Sequence, residues 1–163
     1  MALWWMWLGL MAVGLLVVSY LAWRPLRESW RVADLQRARQ QFRVEREQLE
    51  AKFFSLAGSS GKPRGLRWVE CDFHNDVTYA RERKSGDIVA LIGVVIRFEA
   101  IPGGPMEDVE AVGNLRVGSA VFHYHTSHWH TLGRALFNLN PSEAIHHYAA
   151  DYEKVGHQPG AIG

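Results

Sequence analysis

Residues 2–23, ALWWMWLGLMAVGLLVVSYLAW, contain no charged residue and no proline, and nearly every side chain is apolar. As a helix rising 1.5 Å per residue, a run of this length measures about 33 Å, which matches a hydrocarbon core of roughly 30 Å. Aromatic side chains mark both ends, Trp4, Trp5 and Trp7 at one and Tyr20 and Trp23 at the other. Tryptophan and tyrosine favour the two water–lipid interfaces because each ring joins an apolar body to a polar edge. The stretch reads as a single membrane-spanning signal-anchor. No lysine or arginine precedes it, whereas Arg24, Arg27 and Arg31 follow it, and basic residues flanking a span stay on the cytoplasmic side. The expected arrangement is a cytoplasmic C-terminal part. A cleaved signal peptide fits poorly, since the run is long, lacks a basic start and ends at Trp23-Arg24-Pro25.

The remaining residues suffice for a connector and one modest domain. The net charge of +1 conceals an asymmetry: residues 1–64 sum to +5 and residues 65–163 to −4. The basic part adjoins the membrane, where anionic headgroups attract it. The acidic part lacks the concentrated basic patch of a nucleic-acid surface. A single cysteine, Cys71, excludes an intrachain disulfide.

The connector, residues 25–57, has Pro25 at its start and no glycine or proline from 26 onward. It is rich in Arg, Glu, Gln, Leu and Ala, all good helix formers. Leu35, Phe42, Leu49 and Leu56 recur every seven residues, but the alternate seam positions are Ala38, Glu45 and Lys52. A sustained coiled coil needs both seam positions apolar. The stripe therefore has two uses: docking on its own domain, or association through a short coiled coil with a second copy or another subunit. Residues 58–65, within AGSSGKPRG, form a linker.

Residues 66–154 read as an antiparallel β-meander closed by a helix. LRWVECDF is a strand, His74-Asn75-Asp76 a turn, VTYARER a second strand, and Lys84–Asp87 the turn to IVALIGVVIRF. That last stretch, Ile88–Phe98, is apolar on both faces, so it belongs at the centre of the sheet under cover on both sides. After a Gly-Pro loop, residues 109–125 and 129–140 read as two further antiparallel strands. Asn140-Pro141-Ser142-Glu143 then starts a helix expected over 141–154, with Asn140 as cap and Glu143 reaching back. Residues 155–163 read as a disordered tail. The fold class is α+β: a transmembrane segment (1–24), a long amphipathic helix, a meander and a C-terminal helix. Over about 26–140 this order resembles, in outline only, cystatin-like and nuclear-transport-factor-2-like domains, in which a helix packs across a four-stranded sheet. The resemblance implies no site residue.

One constellation carries possible chemistry. In FHYHTSHWHT a Thr126-Ser127 loop pairs His125 with His128 and His123 with His130, placing all four imidazoles on one face and Tyr124 and Trp129 on the other. Cross-strand neighbours about 5 Å apart would let three imidazoles meet Zn²⁺ or Cu²⁺. The plain alternative is a solvated, His-rich hairpin tip. Cys71 and His74 sit three apart without a third group to complete a nucleophilic site. Glu107, Asp108 and Glu110 form an acidic loop cluster. Nucleotide-binding glycine loops, haem attachment and metalloprotease signatures are absent from the sequence. The expectation is a non-catalytic accessory or assembly subunit, with the bilayer and other membrane subunits as partners, no nucleic acid and no cofactor beyond the possible metal at the hairpin. The second reading is a membrane-tethered ligand- or metal-binding module using that hairpin.

Overall fold

The computed structural model describes residues 7, 9–20, 29–60 and 65–160 fully; at 2–6, 8 and 21–28 it describes the helical course but not the side chains. The chain divides into two compact units, Met1–Gln40 and Gln41–Gly163, so the division falls inside the stretch read as the connector. The architecture is mixed α+β: helix α1 (Ala2–Ser59), helix α2 (Pro141–His147), a 3-10 turn at Glu110–Gly113 and an antiparallel sheet. The strands are β1 (Leu66–Glu82), β2 (Ile88–Ala100), β3 (Arg116–His125), β4 (His128–His130), β5 (Ala135–Phe137) and β6 (Tyr152–Gln158).

In the first unit, α1 presents apolar side chains all round. Leu10, Met11, Val13, Leu15, Leu16, Val17 and Val18 lie between 50 and 70 % exposed. Among the described residues no helix is long and apolar enough to cross a membrane. From Trp7 to Tyr20 the described stretch spans about 20 Å at 1.5 Å per residue, short of the hydrocarbon core. Trp4, Trp5, Trp23, Arg24 and Arg27, on which the expected anchor's ends depend, lie outside the described side chains. Trp7 and Tyr20 are both exposed.

In the second unit the sheet runs β4-β3-β2-β1-β6, with β5 also pairing β3. The central place of β2 follows from its composition. Ile88, Val89, Ala90, Leu91 and Ile92 are all buried, and a strand without a polar face is stable only between two covering layers. The C-terminal part of α1 supplies one layer. Phe42 meets the rings of Tyr79, Phe122 and Trp129, and Phe53 meets those of Trp68, Phe73 and Phe122. Opposite alternation puts Ala80, Val89, Leu91 and Val121 on the other face, where Ala144 and Ile145 of α2 join Leu136 and Tyr152.

Several expectations about this unit are corrected. His74-Asn75-Asp76 does not turn the chain. It is a bulge within one long strand, because β1 pairs β2 on both sides of it, Phe73 with Val94 and Val77 with Ile92. The bulge leaves carbonyls without sheet partners, and Arg46 of α1 satisfies two of them, donating to the His74 oxygen at 2.6 Å and the Asn75 oxygen at 3.0 Å. The strand expected over 129–140 is broken into β4 and β5 around Gly133, whose φ of +69° takes the backbone out of the sheet. In addition, α2 stops at His147, and β6 is built from Tyr152–Lys154, expected within the helix, and from the first residues of the tail read as disordered. Lys154 and Gly156–Gln158 pair with β1, whose outer edge would otherwise stand bare. The expected strand over 109–125 begins only at Arg116, after the 3-10 turn.

The start of α2 is as its sequence dictates. The Asn140 side chain accepts from the Glu143 amide, and Glu143 accepts from the Asn140 amide, with Pro141 in the first turn.

Candidate functional site

The hairpin joining β3 and β4 forms by the expected register: His123 pairs with His130, Tyr124 with Trp129 and His125 with His128. Its two-residue loop places Thr126 (φ 48°) and Ser127 (φ 64°) in the left-handed region, the twist that a tight hairpin requires. A residue with a side chain pays for that conformation, typically 1–2 kcal/mol. Trp129 and Tyr124 are buried on the face towards α1, their rings 5.1 Å apart, and hold the turn from beneath.

The four histidines share a face, but they do not converge. His123 and His130 stack with ring centroids 5.6 Å apart. The His125 ring is drawn aside to Asp87, its Nδ1 3.0 Å from the carboxylate, and His128 turns its Nδ1 to the Thr126 carbonyl at 2.9 Å. Among the described residues no group of three or more His, Cys, Asp or Glu side chains is placed to hold a metal ion. The common face expected for His123, His125, His128 and His130 is present, and the rings as placed turn to separate partners on it.

His123 is half-buried in the sheet. Partial burial disfavours its charged form, and His130 and Arg134 act in the same direction against Glu82 and Asp87, so its pKa lies below the ordinary imidazole value. The Cys71 thiol is pushed up to about 12 by burial and by the nearby Asp72 and Glu50 carboxylates. Such a thiol carries almost no thiolate at neutral pH.

The apolar stripe splits between the units. Phe42 and Leu49 are buried in the second unit, so their docking use is the one realised there, while Leu56 stays partly exposed. Leu35 lies in the first unit. Arg46 and Glu50 form an i,i+4 ion pair at 2.6 Å along α1. The acidic loop keeps Glu107 on the Gly103 amide, as a loop brace.

Two clefts escaped the sequence reading. One, of about 300 Å³, lies where the β1 bulge, β2, β3 and the start of α2 meet, and includes His74. The other, about 340 Å³, lies beside Trp68, Leu132 and Phe137. Neither has a linear motif, because each is assembled from residues far apart in the chain.

No known protein family matches the chain, and neither a curated protein nor a solved structure does.

Proposed function

We propose that this chain is a single-pass, membrane-anchored, non-catalytic subunit that assembles with other membrane polypeptides and holds its α+β domain on the cytoplasmic side. The observation that carries this reading is the all-round exposure of apolar side chains from Leu10 to Val18 on α1. A helix apolar on every side needs lipid or another protein around it. The sequence extends this run to residues 2–23 without a charge, and a span with no polar residue in its central part holds position instead of conducting ions. Arg24, Arg27 and Arg31 support the orientation. The separate partners of the hairpin histidines and the raised pKa of the Cys71 thiol favour a structural domain over a hydrolase or a redox centre.

The test is extraction of native membranes. The chain should resist alkaline carbonate, dissolve in mild detergent, and travel on a native gel with companions in fixed stoichiometry identified by mass spectrometry. Release by carbonate would overturn the anchor, and a lone monomer in mild detergent would overturn the subunit assignment. A C-terminal reporter active only outside the cytoplasm would reverse the orientation.

A further inference from the structure

We propose that the outer edge of β1 from Leu66 to Phe73 is the docking surface for a second copy of this chain, which adds antiparallel, edge to edge, so that two sheets join into one. β1 is 17 residues long, and β2 pairs with it from Leu66 to Arg81. β6 covers its other side only over Val77–Glu82. Just before that, Arg46 engages the His74 and Asn75 carbonyls, and the Asp76 carboxylate accepts from the Gly160 amide at 2.6 Å. Among the described residues no strand pairs with the outer edge of Leu66–Phe73. A strand edge is a template for another strand unless lysine, proline or a covering element guards it. This stretch contains neither lysine nor proline. The surface lies wholly within the second unit and does not depend on the membrane anchor.

The order of side chains along the edge selects the occupant. Val69 is the extra residue of an irregularity between Trp68 and Glu70, so the alternation is counted without it. Trp68 and Phe73 face α1, with ring centroids 6.3 Å and 5.7 Å from that of Phe53. By alternation Leu66 and Cys71 share that face, and Arg67, Glu70 and Asp72 lie on the other. Two identical edges related by a two-fold axis normal to the sheet keep their faces, so a residue can oppose only one from its own face. Centred on Glu70, the pairing sets Leu66 against Phe73, Trp68 against Cys71 and Arg67 against Asp72, each twice. The apolar pairs continue the layer beneath α1, and the charged pairs are opposite in sign, which favours cross-strand pairing. Arg67 also meets Glu99 of its own chain at 2.7 Å, but a guanidinium has donors for two carboxylates. At the axis the two Glu70 carboxylates meet, each held by Arg97 of its own chain at 2.7 Å. Centring on Cys71 instead would oppose Glu70 to Asp72, and centring on Trp68 would carry Phe73 beyond the partner's strand.

The test uses the full chain in uncharged maltoside detergent. Sedimentation velocity over a dilution series should show a monomer–dimer equilibrium. Arg67→Asp and Asp72→Arg, at exposed positions, each set like charges opposite one another twice. Either should raise the dimer Kd roughly tenfold or more, with an unchanged circular dichroism spectrum. The double variant exchanges the two charges and should restore the original Kd, a rescue that association through α1 would not show. Hydrogen exchange gives a readout that needs no variant: amide protection over 66–73 should fall on dilution below Kd, while protection over 77–82 should not. A monomer at every concentration, a dimer indifferent to the single reversals, a double variant no better than either single, or protection over 66–73 that ignores dilution would overturn the proposal.

Discussion

Replacing Phe42 by alanine distinguishes the two uses of the heptad stripe. The side chain is 1 % exposed and lies edge-on to three rings, 4.8 Å from Trp129, 5.5 Å from Phe122 and 6.3 Å from Tyr79. Removing a buried phenylalanine costs about 3–5 kcal/mol, from lost transfer free energy and the cavity left behind. The upper half of that range applies here, because edge-to-face pairs each contribute about 0.5–1.5 kcal/mol beyond area. For a folded unit of this size 1 kcal/mol shifts Tm by about 4 °C, so Phe42→Ala should lower the midpoint by about 16–20 °C. The assay is thermal and urea unfolding of the full chain in detergent, followed by tryptophan fluorescence, with Trp129 as the nearest reporter. Val44→Ala is the control: its side chain is 85 % exposed on the same helix, and its loss should stay within about 0.5 kcal/mol. The measurement is repeated at a tenfold lower protein concentration. A core residue destabilises equally at both, whereas an association seam loses more on dilution. A loss below about 1 kcal/mol, or one that grows on dilution, would refute the docking of α1 on the sheet.

Glycine substitutions provide a second check on the same packing. At Gly133 an added Cβ would stand 2.6 Å from the Ala57 amide nitrogen, and the φ of +69° adds strain, so Gly133→Ala should cost more than about 2 kcal/mol in urea unfolding. Gly86→Ala has the same handedness of backbone (φ +81°) but meets open space, and should cost only about 1 kcal/mol. A third expectation concerns pH. Folding lowers the His123 pKa, so the unfolded chain takes up a proton first as pH falls. The contribution of His123 is therefore fully present above the unfolded value of about 6.5 and is lost progressively as pH falls below it towards the folded value. The urea midpoint should decline through that window, and the decline should be shallower in His123→Gln; identical slopes in the two proteins would exclude His123 as its source.

Elements with a strong local code were legible in the sequence. The unbroken apolarity of Ile88–Phe98 called for a central, doubly covered strand, and the Asn140/Glu143 pair specified a helix start. The hairpin register followed from a strict period of two around Thr126-Ser127. What was not legible depends on partners distant in the chain. Nothing near His74-Asn75-Asp76 announces that Arg46 will cap its carbonyls and turn a plausible loop into a bulge. The glycine-containing stretch Tyr152–Gln158 has weak strand propensity alone and becomes a strand because β1 offers it a ladder of hydrogen bonds. The histidine face was foreseen, yet which way each ring swings depends on Asp87, from the neighbouring hairpin turn, and on the Thr126 carbonyl. The His74 cleft joins three strands and a helix start, so no window of sequence contains it.

The pairing of β6 with β1 also fixes an order of assembly. The meander from β1 to β5 closes through short-range hairpins, but Thr78 meets His157 across 79 residues. Contacts of such separation close late, after the entropy of the long loop has been offset by the rest of the sheet. Until then β1 offers a long unpaired edge, bulged at 74–76 and irregular again between Trp68 and Glu70, at which a second unfinished chain can add a strand. The closing strand thus acts as a latch on a nascent sheet, and variants that weaken it should show their harm as aggregation during folding before any loss is visible in the finished molecule.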